Sequence, residues 1–95
     1  MSTGNLLSFQ SSGTQTASKL VKTGFGICGY VFATASTSLI IQVFDGTDPT
    51  GATGTNLTGQ ITLAAGTRYS LDLGFSTGLA INVVSGSGSY FVGYV

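Results

Sequence analysis

Leu39-Ile40-Ile41-Gln42-Val43-Phe44-Asp45-Gly46 is the stretch whose reading decides the fold. β-Branched and aromatic residues dominate it, and its side chains alternate. Leu39, Ile41 and Val43 fall on one face, Ile40, Gln42 and Phe44 on the other. Asp45-Gly46 closes it, a dipeptide that favours tight turns. An alternating apolar run bounded by turn residues predicts a β-strand.

The same reading extends in both directions. Towards the C-terminus, residues 57–63 resume strand character through Leu57, Ile61 and Leu63, and Ala64-Ala65-Gly66 turns the chain. Residues 68–73 alternate, with Tyr69, Leu71 and Leu73 inward and Arg68, Ser70 and Asp72 outward. Residues 79–83 repeat the pattern, Ser85-Gly86-Ser87-Gly88 reads as a turn, and residues 90–95 form a closing strand. There Tyr90, Val92 and Tyr94 face one way and Phe91 and Val95 the other. Towards the N-terminus, residues 33–38 read as a small polar turn and residues 26–33 as a strand. In that strand Ile27 and Val31 share one face and Cys28, Tyr30 and Phe32 the other. Residues 18–22 give a short strand around Leu20 and Val21. The loop at 47–54 carries the only proline and no large apolar residue, so it is expected on the surface.

No segment carries a helical stripe. Seven or eight short strands spaced by about 8–15 residues predict an all-β fold, a single β-sandwich or jelly roll. Residues 18–95 form the sandwich domain in this reading. Residues 1–17 form an extended N-terminal arm or edge strand, whose apolar cluster Leu6, Leu7 and Phe9 would gain by docking.

Composition narrows the function. A chain of 95 residues is one domain. Its hydrophobic fraction of 42% excludes a disordered chain. Only 6% of residues are charged, against about 25% in an ordinary soluble domain. The cations are Lys19, Lys22 and Arg68, the anions Asp45, Asp48 and Asp72, and the net charge is zero. Charge normally keeps a protein soluble and monomeric, so its scarcity points to a subunit of an assembly with much of its surface covered. The charge balance gives no footprint for nucleic acid. The longest nearly apolar run, residues 24–35, falls short of the ~20 residues of a membrane span. No basic segment followed by an apolar one opens the chain, so no secretory signal is expected.

Catalytic chemistry fails on inventory, and no enzymatic activity or cofactor is expected. The chain lacks His and Glu, and general acid–base work falls to three aspartates at turn or outward positions. The lone Cys28 sits in an apolar run, where it reads as a small core hydrophobe. Asp45-Gly46-Thr47-Asp48 offers oxygen ligands of the kind Ca²⁺ takes, but too few acids at fixed steps, and Asp45 reads as a turn cap. Tyr30, Tyr69, Tyr90 and Tyr94 could stack on a sugar, although tyrosines in so small a core mostly pack.

Several segments taken in order resemble a known group of proteins. They are Leu39-Ile40-Ile41-Gln42-Val43-Phe44-Asp45-Gly46-Thr47, Gly54-Thr55, Leu63-Ala64-Ala65-Gly66-Thr67, Leu71-Asp72-Leu73-Gly74-Phe75-Ser76-Thr77-Gly78-Leu79, Ile81-Asn82-Val83-Val84-Ser85-Gly86 and the terminal Tyr94. Together they resemble small virion structural proteins of tailed bacteriophages, including phages of cyanobacteria. The resemblance spans roughly residues 20–95 and lies in the order and spacing of common turn motifs. It implies a β-sandwich that decorates or cements the capsid, in contact with the major capsid protein or other virion proteins. It implies location in the virion, after assembly in the host cytoplasm. A neck, tail or fibre component, or a glycan-binding module, is the alternative. The expected interface residues are Leu6, Leu7, Phe9, Tyr30 and Tyr94, with the arm on a neighbour and the chain in a homo-oligomer, taken as a trimer by analogy with shell symmetry.

Overall fold

A computed structural model of the chain describes residues 9–50 and 53–95. It is all-β, as read: seven strands in one antiparallel sheet, with no helix among the described residues. The strands are β1 (Gln10–Ser11), β2 (Lys19–Thr23), β3 (Gly26–Asp45), β4 (Thr55–Asn56), β5 (Ile61–Thr62), β6 (Arg68–Phe75) and β7 (Gly78–Tyr94). The backbone of the fold is the pairing of β3 with β7, which runs from Cys28↔Tyr94 to Asp45↔Leu79.

That ribbon cannot be straight. At roughly 3.3 Å per residue a strand of this length would run about 66 Å, yet the longest dimension of the molecule is 42 Å. Both ends of β3 reach the same turn. Gly26 pairs with Phe75, and the Asp45 carboxylate accepts hydrogen bonds from Ser76, Thr77 and Gly78. The ribbon therefore doubles back into two leaves. One leaf joins β6, the first half of β3, the second half of β7 and β1. The other joins β4 and β5, the second half of β3, the first half of β7 and β2. Cys28, Val31 and Ala33 from one half of β3 and Leu39, Ile41 and Val43 from the other meet Leu79, Ile81, Tyr90 and Val92 of β7 in one buried core.

The corner corrects two readings. Residues 33–38 and 85–88 are not turns between short strands. They are paired with each other, Ala35↔Ser89, Ser36↔Gly88 and Thr37↔Ser87, in the middle of the two long strands. The register shifts between Ala33 and Ala35 and again between Thr37 and Ile40, so bulges bend the ribbon where turns were expected. Ser38 takes a left-handed φ of 51°, opposite Gly86 at 82° and Gly88 at 150°. A Cβ at Gly86 would strike the Ser38 carbonyl, and one at Gly88 the Ala35 carbonyl. Only glycine lets the two backbones approach this closely while holding that conformation.

The faces of β3 also differ from the reading. The register slips between Cys28 and Tyr30, both against β7 and against β6. The bulge at Gly29 resets the alternation, so Cys28 and Val31 are both buried while Ile27 is exposed and Tyr30 and Phe32 lie half-buried on the outer face. Of the strand read over residues 57–63 only Ile61–Thr62, β5, is strand, and the short β4 ends just before that stretch, at Asn56. Between them the Asn56 side chain accepts from the backbone N–H of Thr58 and of Gly59, an Asx turn completed by Gly59 at φ 71°.

Residues 10–17 take the edge position. β1 pairs with the end of β7, and Gln15 exchanges backbone hydrogen bonds of 2.7 and 2.9 Å with Tyr90. The buried Tyr90 donates its hydroxyl to the Ala17 carbonyl at 2.7 Å, and Ser18 Oγ accepts from the Val83 N–H at 2.8 Å. Burial of Tyr90 pushes its phenol well above the usual tyrosine value, which keeps the hydroxyl a donor. Leu6 and Leu7 lie outside the described residues.

The corner glycines make a comparison possible. Gly86→Ala should cost more than Gly66→Ala, because Gly66 (φ 78°) has open space where a Cβ would stand. Left-handed strain alone is about 1–2 kcal/mol, and at Gly86 the opposing backbone must also move. The measurement is thermal unfolding, where each kcal/mol lowers Tm by roughly 4–8 °C in a domain of this size. Equal losses for the two variants would show that the close approach at Gly86 carries no weight.

Candidate interaction surface

No pocket opens among the described residues, and no group of three or more His, Cys, Asp or Glu gathers there to hold a metal. The outer face of the first leaf carries an aromatic row. Phe9 meets Tyr30 edge-on with centroids 5.9 Å apart, Tyr30 meets Phe91 edge-on at 6.2 Å, and Phe91 stacks on Phe32 at 5.2 Å. Such offset and T-shaped pairs match the quadrupoles of the rings.

Glycines make the row possible. A side chain at Gly29 would occupy the space of the Phe9 ring, and one at Gly93 that of the Tyr30 ring. Each ring thus covers bare backbone of a neighbouring strand. The Arg68 guanidinium lies 4.0 Å from the Tyr30 centroid, within the range of a cation–π contact. Towards the start of β3 come Ile27, which exchanges backbone hydrogen bonds with Val95, and, one residue before the strand, Phe25, whose ring lies beside Lys22 of β2. Phe25 is 79% exposed and Ile27 45%, the two most exposed large apolar side chains among the described residues. Lys22 Nζ stands 6.0 Å from the Phe25 centroid and 6.0 Å from that of Phe75.

Of the five interface residues read from the sequence, Phe9 and Tyr30 are brought together on this face. Tyr94 belongs elsewhere: it is half-buried, packs on the core and pairs with Gln10. Phe25, Ile27, Phe32, Phe91 and Arg68 were not singled out as interface residues. The placement of Ile27 with Tyr30 and Phe32 emerges only when the alternation is reset at Gly29, and a glycine inside an apolar strand was the available signal.

The remaining candidates have structural partners. The Asp45 carboxylate accepts from the backbone N–H of Ser76 at 3.0 Å, Thr77 at 2.8 Å and Gly78 at 3.3 Å, and from Ser76 Oγ at 3.1 Å. Its lone pairs are taken up by donors, and the backbone N–H of Ser76, then of Thr77, holds its pKa below the usual carboxylate value. Asp45 is a cap, as read, but of a distant turn rather than its own. The Asp48 carboxylate accepts from Thr50 Oγ1 at 2.7 Å and from the Thr50 N–H at 2.9 Å. Cys28 is fully buried, and burial, with a smaller push from the Asp72 charge, raises its thiol to about 12. The Tyr69 hydroxyl donates to the Thr62 carbonyl and accepts from the Ala64 N–H.

Comparison of the chain with protein-family models, with curated proteins and with solved structures gives no match.

Asp45→Asn and Asp45→Ala should lower stability by about 0.5–2 kcal/mol, the range for losing a side-chain cap, towards the low end because the carboxylate is partly solvated. Because the folded pKa is depressed, the carboxylate stabilises fully above about pH 4, the unfolded value, and loses this contribution as pH falls through the folded value. Urea titrations from pH 7 down to pH 2 should therefore show a wild-type decline that is shallower in Asp45→Asn. Parallel curves would exclude the cap as the titrating element.

The Cys28 thiol should resist alkylation at pH 8 in the folded chain and react promptly in denaturant, since reaction needs an exposed thiolate. Mass spectrometry after iodoacetamide treatment reads this directly. Rapid labelling of folded protein would mean that the core opens at this site.

Proposed function

We propose that this chain is a non-enzymatic structural subunit of a tailed-phage virion, one that decorates or cements the capsid shell through protein–protein contacts. The observation that carries the reading is the exposed apolar surface at the start of β3, Phe25 79% exposed and Ile27 45%, together with the aromatic row of the first leaf. An apolar face of this kind on a chain with only 6% charged residues fits a surface made to be covered. The ordered turn motifs that resemble phage structural proteins supply the particle, with the major capsid protein as the partner. A neck, tail or fibre position uses the same face against a different virion protein. A glycan platform draws less support, because Tyr90 is buried, the Tyr69 hydroxyl is engaged, Tyr94 packs on the core and Arg68 lies against the Tyr30 ring.

The test is to locate the chain in purified particles by cryo-electron microscopy and count its copies. Many copies on the capsid lattice, with Phe25 and Ile27 facing the shell, are expected. Phe25→Ser combined with Ile27→Ser should fold and fail to bind capsids lacking the native protein. A few copies at the neck or tail would move the chain to the alternative position, and absence from the particle would overturn the reading.

A further inference from the structure

The six charges of the chain are placed unevenly. Two are at the β3 end and the loop after it, Asp45 and Asp48, and both are engaged in caps. The other four lie on strands that, among the described residues, have a neighbour on one side only. Lys19 and Lys22 are on β2, whose one partner is β7, and Arg68 and Asp72 are on β6, whose one partner is β3. A free strand edge presents unpaired N–H and C=O groups and is a template for another chain. β1, β4 and β5 are each two residues long, too short to be templates by themselves.

The two longer edges differ in sign pattern. On β2 both charges are positive, so a second copy laid antiparallel along it finds no opposite charge in any register. On β6 the charges are opposite and symmetric. Arg68 and Asp72 stand two positions either side of Ser70, and all three are exposed. Among the described residues neither charge is in an ion pair, and Arg68 has only its contact with the Tyr30 ring. A two-fold axis through Ser70 would set Arg68 of one copy against Asp72 of the other, twice. It would also set Tyr69 across from Leu71 of the second copy, and these two side chains are half-buried at the border of the core.

We propose that the β6 edge is a homodimer interface, in which two copies of this chain pair antiparallel about Ser70 with reciprocal Arg68–Asp72 contacts. Cross-strand opposite charges stabilise such a pair, and like charges in the same positions oppose it. The interface is isologous, so it closes at two copies; the trimer expected from shell analogy is not formed by this edge. Asp72 holds a left-handed φ of 52° at the bulge of β6 against β3. The continuous ladder is therefore short and confined to Tyr69–Leu71 about the axis, and Arg68 and Asp72 of the two copies meet through their side chains. Such an interface is weak and salt-sensitive. The proposal does not rest on the virion reading: it concerns the isolated chain and leaves the apolar face free for another partner.

Sedimentation velocity on the purified chain over a concentration series, at low and at high salt, tests it. A monomer–dimer equilibrium that weakens with salt is expected. Arg68→Asp alone and Asp72→Arg alone each place like charges opposite one another and should be monomeric. An equimolar mixture of the two should recover the dimer, because each variant supplies the charge the other needs. Should Asp72→Arg fail to fold because Arg tolerates the left-handed backbone poorly, Asp72→Asn, which tolerates it, should weaken the dimer, and Arg68→Asp should still abolish it. A wild-type chain that stays monomeric throughout, a trimer, a dimer indifferent to Arg68→Asp, or a mixture of folded single variants that stays monomeric would each overturn the proposal. So would a dimer abolished by Phe25→Ser and untouched by the charge variants, which would assign self-association to the apolar face.

Discussion

Everything in this fold follows from one constraint: β3 and β7 must stay hydrogen-bonded through a corner. Their shared ladder runs from Cys28 to Asp45 on one strand and from Tyr94 to Leu79 on the other. The corner itself, residues 34–38 and 84–87, is mostly exposed; the buried ladder on either side of it holds the register, because unpaired backbone groups there would cost as much as lost hydrogen bonds. The bend is achieved within the ladder, by bulges and by glycines that admit the opposing backbone. Once the ribbon doubles back, the two halves of each long strand face one another and a single core forms between them. A chain of 95 residues thereby makes two layers from one sheet. The Asp45 carboxylate then ties the far end of β3 to the turn that also receives its beginning.

How much of this was legible in the sequence depended on whether the signal was local. Leu39, Ile41 and Val43 read as a core face because alternation with a period of two requires nothing beyond the strand itself, and all three are fully buried. The same holds for Tyr90 and Val92. Residues 33–38 and 85–88 misled because Ser, Thr and Gly serve equally for a turn and for a bulged corner. What separates the two cases is the presence of each segment opposite the other. Gly29 displaced the faces of β3 by a single inserted residue. Asn56 and Gly59 did carry a local turn signal, overridden by the apolar spacing of Leu57 and Ile61. Asp45 was read as a cap on the strength of its residue type, while the turn it caps lies more than 30 residues away in sequence and no local rule could have chosen it.

The candidate surface was only partly legible for the same reason. Phe9 and Tyr30 were chosen from composition, and they do meet. The rest of the face depends on which way β3 points after its bulge, which only the register with β7 fixes. Leu6 and Leu7 fall outside the described residues, so the apolar character of the first residues bears on function through sequence alone.

The distribution of charge joins the fold to its use. A chain with this little charge cannot use general repulsion to stay apart from its neighbours. Its protection must be local, and β-sheet proteins most need it at their free edges. The lysines of β2 provide it by uniform sign. The pair on β6 provides it against most partners, since an apolar or singly charged strand would desolvate one charge unpaired. It offers complementarity to a strand with the reverse pattern, which an antiparallel copy of itself possesses. The apolar face and the charged edge thus lie on adjacent parts of one leaf and meet at Arg68, which packs on the Tyr30 ring. In the proposed reading the face takes its partner by apolar contact, while the edge sets how copies approach each other. In the proposed role, covering a repeating shell, both are needed: contact with the shell gives affinity, and control of the edges keeps copies from aggregating before they reach it.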